Sequence, residues 1–477
     1  MKSRNKVEHL VTIPNDYKLV VGDTKNGEHI LWWEQEEDCE QYIHICFKEK
    51  TNQLIELSIN KESPKEAITL SEAEGKQIAE RFLQTHAPHI LKECNMVQVE
   101  KRKSSFWVEY MQEVNGYELP HTGAFMEVDS SKAVTKFRSK GIKEKPVWPE
   151  KVIDKEYVIE KVNERQEMER VFKRLDPVLY AYKDGKPKDE YALVYEPVFS
   201  TVFIDAKTGE DLHDRSHYVI ETVSITPLRK EQRVKIDINE CFKIDEGKMK
   251  KVREIEDETC KKMIWAEMLS ESIESSEEDK SLDSYFNNKI PILQYEKSII
   301  IEVDKETDEL ISYIEMGKED RKPVLTRAQC FEKALQFLEN IYPNVEEQLR
   351  LWMDEDDEEE NPYHFKFHIY VNGIRLADEW VWVAVDAVSG KIVRYKGVPR
   401  WLLQKLSTYD TNVNISEQEA LAIYMKETSV KLKWFDEGED TTPKYRLIYT
   451  ETTAKKGDNK ESLRYIDAEN GKVIYWK

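Results

Sequence analysis

An α+β fold made of two tandem duplicated halves is predicted by three features of this 477-residue sequence. Six similar turn sequences recur along the chain, two helical segments match at a constant offset, and an Asn-Gly turn occurs once in each half. A long-period repeat constrains the architecture before any local argument is made. We therefore expect each half to consist of antiparallel β-meanders packed by helices.

The six turns share an apolar residue, an aspartate in the clearest copies, and a last residue suited to positive φ. Asp can accept hydrogen bonds from backbone N–H groups ahead of it, while Gly, Asn and Asp tolerate the left-handed region. Five turns meet this requirement, but Ala133 does not, so we expect a distorted or different turn there. The last residues are Asn52, Ala133, Gly209, Asp308, Gly390 and Gly471; 52 pairs with 308, 133 with 390 and 209 with 471, at offsets of 256, 257 and 262.

Matched helices support the duplication. In each half a cap residue precedes an apolar face with helical spacing, and a proline ends the segment. A second pair is expected after Asp154 and Ser416, where Ser416 and Glu419 form a capping-box pattern. The first pair matches at Ser71 and Thr326, Ala79 and Ala334, Phe82 and Phe337, Leu83 and Leu338, and Pro88 and Pro343.

The strands follow the same plan. Asn115-Gly116 and Asn372-Gly373 lie between apolar segments, which is typical of two-residue hairpins. Further strands are expected at 13–20, 31–33, 191–195, 236–244, 263–265 and 445–449.

The duplication predicts two domains, which span residues 1–225 and 226–477. Residues from about 268 to 290 are rich in Glu and Ser and have no counterpart in the first half. We expect them to form an inserted, exposed loop.

The segment from Val371 to Val393, with the companion segments at 191–195 and 205–209, resembles the bacterial YcdB/YcdC-repeat family, which is grouped with PepSY-like domains. Related PepSY modules occur in propeptides and inhibitors of secreted peptidases. The resemblance therefore implies a non-catalytic module of helices and sheets. It carries no catalytic residue to this chain, because the shared motifs are turns and core positions.

Composition restricts the partners. A formal net charge of −21 repels phosphate backbones and anionic lipid surfaces, so we expect no nucleic-acid partner. No segment approaches the about 18 apolar residues of a membrane helix, and the N-terminus lacks the apolar core of a signal peptide. Six cysteines without a CxxC motif indicate reduced thiols in a cytoplasmic protein, with a Cys39–Cys46 bridge as the alternative.

No residue is assigned to catalysis, a cofactor or a metal. The pairs His213/His217 and His364/His368 have ligand-like spacing, but the second pair lies in a strand, where the residues would be about 13 Å apart. The acidic run 354–360 lacks the Gly of a calcium loop and is read as a solvated loop, with weak cation binding or a basic partner as alternatives.

The recurring aspartates of the turns, Asp205, Asp386 and Asp467, are explained by hairpin geometry without chemistry. No GxSxG, GxGxxG or GxxxxGK[ST] motif is present, so acyl-transfer and nucleotide chemistry lack their usual signals.

Paired tryptophans offer a binding surface. Trp380 and Trp382 project from one face of a strand, and we expect them to be core beneath a helix, with a ligand platform as the alternative. Trp32 and Trp33 point to opposite faces, so one of them should reach a second layer or a partner.

These observations favour a non-catalytic protein that binds a peptide or protein partner at a sheet edge or between the halves. A peptidase inhibitor or intramolecular-chaperone-like regulator is the first alternative, and an enzyme with a site between the halves is the second. The oligomeric state does not follow from the sequence.

Overall fold

The structure is a computed structural model that describes residues 7–61, 70–182, 185–198, 202–212, 222–227, 242, 244–257, 259–268, 280–282, 285, 295–317, 322–342, 344–352, 361–438, 444–453 and 462–476. Strands predominate and helices pack against the sheets, which confirms the predicted α+β class.

The helices are α1 (Glu72–His86), α2 (Pro88–Glu93), α3 (Lys155–Arg165), α4 (Arg327–Ile341), α5 (Val345–Gln348), α6 (Arg400–Ser407) and α7 (Glu417–Glu427). The strands are β1 (Tyr17–Lys25), β2 (Glu28–Gln35), β3 (Tyr42–Lys48), β4 (Leu54–Asn60), β5 (Asn95–Lys101), β6 (Ser105–Met111), β7 (Glu113–Val114), β8 (Tyr117–Glu118), β9 (Gly123–Asp129), β10 (Val134–Gly141), β11 (Met168–Arg174), β12 (Tyr180–Tyr182), β13 (Tyr191–Pro197), β14 (Ile204–Asp205), β15 (Thr222–Ser224), β16 (Lys250–Glu256), β17 (Cys260–Met268), β18 (Tyr295–Asp304), β19 (Leu310–Gly317), β20 (Leu349–Trp352), β21 (Tyr363–Val371), β22 (Ile374–Val385), β23 (Ile392–Lys396), β24 (Thr428–Asp436), β25 (Tyr445–Thr453), β26 (Ser462–Asp467) and β27 (Val473–Trp476).

Capping boxes define the starts of three helices. The Ser71 hydroxyl accepts a hydrogen bond from the backbone N–H of Glu74, whose carboxylate accepts one from the Ser71 backbone N–H at 2.9 Å. Thr326 and Ser416 begin α4 and α7 in the same way. Each box satisfies two backbone donors that the helix leaves unpaired. The helix starts predicted at these residues are confirmed.

The first sheet contains eight strands in the order β1-β2-β3-β4-β10-β9-β6-β5. Helix α1 packs against one face of it. Ala79 and Leu83 on the helix share a hydrophobic core with Phe106, Met126 and Phe137 on the strands. This arrangement buries the apolar face that the helical spacing predicts.

The second sheet has fourteen strands among the described residues, and eight of them repeat the first sheet strand for strand. Their order β16-β17-β18-β19-β23-β22-β21-β20 matches the first, and α4 takes the place of α1. Strand β15 adds to the outer side of β20, while β11 pairs in parallel with β22 through Val171 opposite Arg375. The duplication predicted from the turn spacing is therefore visible in the topology.

The two halves exchange their last strands. In the first half β11 and β13 form a hairpin, yet β13 pairs next with β26 of the second half, where Tyr195 lies opposite Ile466. In the second half β24 and β25 form the equivalent hairpin, and β25 pairs with β14 of the first half, where Tyr449 lies opposite Ile204. The exchange is reciprocal, and equivalent residues of the two halves form the two pairings.

The helices take part in this exchange. Helix α7 of the second half contacts β11 and β13, while α3 of the first half contacts β24. Val158 of α3 belongs to one core with Val430, Trp434 and Leu447. Each hairpin is therefore completed by a helix and a strand from the other half.

The predicted turns are present, and their left-handed residues have φ between 53° and 72°. At the second turn Lys132, not Ala133, has positive φ, and its N–H bonds to the carbonyl of Asp129. That turn is one residue shorter than the others, which confirms the expected change of turn type. The five regular turns place Asn52, Gly209, Asp308, Gly390 and Gly471 at the left-handed position.

The strand predicted at 236–244 falls mostly on residues 236–241 and 243, which lie outside the described part of the chain. Among the described residues, the strand that precedes β17 is β16, which the sequence did not predict. All seven residues of β16 are exposed. Charged, exposed residues protect edge strands from further pairing, and they also hide such strands from a search for apolar runs. The first strand of the chain begins at Tyr17, later than the predicted residue 13.

Most of the predicted exposed loop at about 268–290 lies outside the described residues, but residues 280–282 and 285 contact the first sheet. The Gly22 N–H donates to the carbonyl of Lys280 at 3.0 Å, and the Leu282 N–H donates to the carboxylate of Asp23 at 3.0 Å. The ring of Tyr285 lies 5.3 Å from Trp32. Trp33 is buried in the core instead, so Trp32 is the tryptophan that reaches a second layer.

Candidate functional site

Trp380 and Trp382 lie on the side of β22 that faces away from the helical core. Val381 and Val383 alternate with them and belong to the core shared with Leu338 of α4. Trp380 is 38% exposed. Because neighbouring strand residues point to opposite faces, the valines and the tryptophans cannot share the core. The expectation that both tryptophans are core beneath a helix is wrong, and the alternative of a ligand platform remains a prediction.

Aromatic and cationic side chains alternate across this face. Lys366 on β21 and Lys396 on β23 both lie directly opposite Trp382, and His368 lies opposite Trp380. We call this surface the tryptophan face. Its residues are Arg350, Trp352, His364, Lys366, His368, Trp380, Trp382, Arg394 and Lys396.

The cations on the tryptophan face stack on its aromatic rings. The Lys396 ammonium lies 4.7 Å from the ring centre of Trp380, and the Lys366 ammonium lies 5.3 Å from that of Trp352. The Arg394 guanidinium lies 5.7 Å from the ring of Trp382. Such contacts contribute about 0.5–1 kcal/mol each at exposed sites and hold the charges over the rings.

The equivalent face of the first sheet neutralises its own charges. Its cations lie on strands opposite carboxylates, and the contacts are close enough for ion pairs. The pairs are Lys136–Glu127 at 2.9 Å, Lys140–Glu109 at 2.8 Å and Arg138–Glu56 at 3.9 Å.

The second sheet lacks these carboxylates. At the positions equivalent to the three glutamates it carries a serine, a lysine and an alanine, while two of the three cations, Lys136 and Arg138, have cationic equivalents. The equivalent positions are Glu56 and Ser312, Glu109 and Lys366, Glu127 and Ala384, Lys136 and Arg394, and Arg138 and Lys396. A balanced surface in one half is therefore a cationic surface in the other.

Within the described residues, Arg350, Arg394 and Lys396 form no ion pair with a carboxylate. Glu379 acts on Lys396 electrostatically, but burial raises the pKa of the Glu379 carboxyl. Two buried donors, Nε1 of Trp382 and Nε of Arg394, have no hydrogen-bond acceptor in the described part of the chain. Buried donors without a partner are rare in folded proteins and indicate a place for an acceptor.

One histidine of the tryptophan face stacks on a neighbouring aromatic ring. His368 stacks on Trp352 with ring centres 5.3 Å apart. Burial, followed by the nearby positive charge of Arg375, lowers the pKa of His368 to about 4. His368 is therefore neutral at physiological pH. His364 lies on the same strand, and the described residues contain no group of three or more potential metal ligands; His213 and His217 lie outside them.

A partly buried charge cluster lies at the start of β22 beside this face. Arg375 binds both carboxylate oxygens of Glu169 on β11 and also Glu196 on β13, at 2.6 to 3.1 Å. Burial would lower the pKa of the Arg375 guanidinium, but the two carboxylates raise it above its usual value. The cluster joins the exchanged strands to the second sheet, and sequence reasoning did not find it because its members are 206 and 179 residues apart.

The turn aspartates are occupied by their own backbone. One oxygen of Asp205 accepts hydrogen bonds from the N–H groups of Lys207 and Thr208, at 2.7 and 2.8 Å. Asp386 and Asp467 accept equivalent pairs. The hairpin role predicted for these residues is confirmed. The acidic run 354–360 lies outside the described residues, and both Cys39 and Cys46 are free thiols rather than a disulfide.

Two cavities lie away from the tryptophan face. One of about 330 Å³ is lined mainly by apolar residues, with Asp308, Glu309 and Arg400 among its lining. The other, of about 270 Å³, places Tyr182 of the first half beside Lys426 and Glu427 of the second. The Tyr182 hydroxyl donates to Asp467, so it serves the exchanged hairpin.

Known proteins match this sequence along nearly its whole length. The chain is 26% identical over 494 aligned positions to the uncharacterised protein YcdB of Bacillus subtilis, covering 99% of this chain and 97% of that protein. It is 23% identical to the uncharacterised protein YcdC of the same organism, covering 94% and 96%. The C-terminal domain of Bacillus megaterium YpeB aligns with 44% of this chain and 92% of that domain, at 16% identity and a TM-score of 0.27.

The family model described as the YcdB, YcdC repeated domain matches residues 1–141 and again 231–398. The chain belongs to this family. The two matches contain the eight strands of the first sheet and their eight equivalents in the second, so each YcdB, YcdC repeated domain supplies one set of eight strands. The tryptophan face lies in the second domain, and the exchanged strands lie outside both matches.

The described residues contain no helix long and apolar enough to cross a membrane.

Proposed function

We propose that this protein is a non-catalytic binding protein whose tryptophan face docks a peptide or protein partner. The observation that carries the proposal is the position of Trp380 and Trp382 on the face of β22 opposite the helical core, surrounded by stacked cations. Exposed aromatic side chains offer a large contact area at low conformational cost.

The repeated domain provides a rigid support for such a surface. Strands β21, β22 and β23 are central in the second sheet, and Val381 and Val383 anchor β22 to the core from behind. A binding surface on regular strands is held more firmly than one on loops. The face therefore needs little reorganisation when a partner binds.

Selection from a displayed library of random peptides against the full-length protein tests the proposal. We expect binders whose affinity falls at least tenfold in the Trp380→Ala variant. Tyr157→Ala is the matched control, because Tyr157 is an exposed aromatic residue on α3 at a different surface. A selection that yields no binder, or binders that are insensitive to Trp380→Ala, contradicts the proposal.

The reducing, cytoplasmic location remains a prediction. The free thiols at Cys39 and Cys46 agree with it, since oxidising compartments favour disulfides.

A further inference from the structure

We infer that the partner of the tryptophan face is an extended acidic peptide with carboxylates at alternate positions. The inference rests on the proposed function and adds the chemical class of the partner. Four observations carry it: the absent carboxylates, the cations without ion pairs, the two unsatisfied donors, and the spacing of the cations.

Charge complementarity sets the sign of the partner. The chain as a whole carries −21, yet Arg350, Arg394 and Lys396 lie on one sheet face without an ion pair among the described residues, and Glu379 acts on Lys396 only at longer range. The first sheet shows that this geometry can neutralise itself with Glu56, Glu109 and Glu127. Because the second sheet lacks these three acids, its cations attract a negatively charged partner.

The unsatisfied donors set the chemistry of the contact. Nε of Arg394 and Nε1 of Trp382 are buried N–H groups on neighbouring strands, with the Arg394 guanidinium 5.7 Å from the Trp382 ring. A carboxylate oxygen accepts hydrogen bonds from a guanidinium in a planar, bidentate arrangement that a neutral amide does not match in strength. A carboxylate therefore fits the pair better than a neutral group.

The spacing of the cations sets the pattern in the peptide. Arg394 and Lys396 are two residues apart on β23 and project from the same face, so their attachment points are separated by about 7 Å. An extended peptide places alternate side chains at the same separation. Carboxylates at positions i and i+2 of the peptide can then contact Arg394 and Lys396. An apolar side chain elsewhere in the peptide can contact the exposed ring of Trp380.

A nucleic acid fits less well. A phosphate chain extends its charge beyond the face, where the remaining acidic surface repels it. A short peptide needs only the cationic surface itself.

Fluorescence anisotropy with three labelled ten-residue peptides on the full-length protein tests the inference. The probes alternate serine with glutamate, with glutamine or with lysine. We expect binding of the glutamate peptide, weakened when salt is raised from about 50 to about 200 mM because screening shortens the range of the charges. We expect no measurable binding of the other two peptides.

Matched double variants locate the contact. Arg394→Gln combined with Lys396→Gln should weaken the glutamate peptide at least tenfold. Lys136→Gln combined with Arg138→Gln removes the equivalent cations of the first sheet and should leave the affinity unchanged. Circular dichroism establishes that both variants remain folded.

Each other outcome has a defined meaning. Equal binding of all three peptides that is lost in Trp380→Ala overturns the acidic specificity and leaves the proposed function standing. Glutamate binding that survives the Arg394 and Lys396 changes places the contact elsewhere and overturns the inference. A single-stranded oligothymidylate that binds more tightly than the peptide, with the same sensitivity to these changes, overturns the assignment to a peptide. Failure of both these probes and the random library overturns inference and function together.

Discussion

The hydroxyl of Tyr195 donates a hydrogen bond to the backbone carbonyl of Ile415, 2.7 Å away, and the two residues belong to opposite halves of the chain. Tyr449 donates to the carbonyl of Ile153 at the same distance. The two bonds are equivalent under the duplication. Each one joins the hairpin of one half to the residues that precede a helix of the other half, so the same contact stabilises the strand exchange twice.

Replacement of Tyr195 by phenylalanine should lower the free energy of unfolding by about 1–3 kcal/mol, because it leaves the Ile415 carbonyl without its partner. Tyr449→Phe should cost a similar amount. Tyr110→Phe is the control, since the buried Tyr110 hydroxyl has no hydrogen-bond partner in the described residues and its removal should be neutral or stabilising. Urea denaturation measures all three. Equal losses in all three variants would show that the hydroxyl contacts do not matter.

A chain cut after residue 225 should fold fully only when both pieces are present. Fragment 1–225 retains the first sheet but lacks β26 and α7, so the edge of β13 is left without its neighbours. Hydrogen exchange should show protected amides in β13 only after fragment 226–477 is added. Size-exclusion chromatography should then show a one-to-one complex. Full protection of β13 in the isolated first fragment would contradict the exchange.

Gly123→Ala should destabilise the protein severely. A Cβ atom at Gly123, where φ is +76°, would lie 1.9 Å from the carbonyl oxygen of Tyr110 on the neighbouring strand. Gly27→Ala is the matched control, because Gly27 has the same φ but open space around its Cβ position. The control should lose only about 1 kcal/mol from left-handed strain. Thermal unfolding of the two variants separates backbone strain from the steric clash, and equal losses would rule the clash out.

Glu451 should make the protein less stable as the pH rises. Burial raises the pKa of this carboxyl to about 7, against the opposing effects of the Tyr424 hydroxyl, Arg464 and Arg165. Between pH 4.5 and about 7 the folded state retains a proton that the unfolded state has released, so stability falls over this interval, by about 3 kcal/mol in full. Above pH 7 this contribution no longer changes.

The Glu451→Gln variant should lose this pH dependence while retaining an acceptor for Tyr424. Urea denaturation at pH 5 and pH 8 measures the difference between the variant and the unaltered protein. Glu417→Gln on α7 removes a charge from an exposed position and serves as the control. An unchanged pH profile in Glu451→Gln would show that another group is responsible.

Local signals in the sequence predicted the parts of the fold that are built locally. The turn at Gly390 and the helix start at Thr326 depend on neighbouring residues alone, so both could be predicted. Strand β16 could not be predicted in the same way, because its edge position removes the apolar pattern.

The strand exchange depends on distant pairing, which no local pattern contains. Strands β14 and β26 both end in the same kind of aspartate turn, so the sequence does not indicate which of them pairs with β13 at Tyr195. The duplication made the two pairings equivalent in sequence, and only the folded chain distinguishes them. Similarly, the two sides of β22 are both rich in apolar residues, so sequence alone assigned Trp380 to the wrong side.

The exchange also imposes a delay on the protein during its synthesis. The strand that completes β13 is β26, and Ile466 lies 271 residues beyond its partner Tyr195 (466 − 195). At about 5–20 residues per second, the ribosome needs roughly 14–54 s to bridge that interval. During this time the hairpin of the first half has an open edge in the crowded cell. A nascent chain of this kind has a period of vulnerability to aggregation that a simple tandem repeat of self-contained domains would not have.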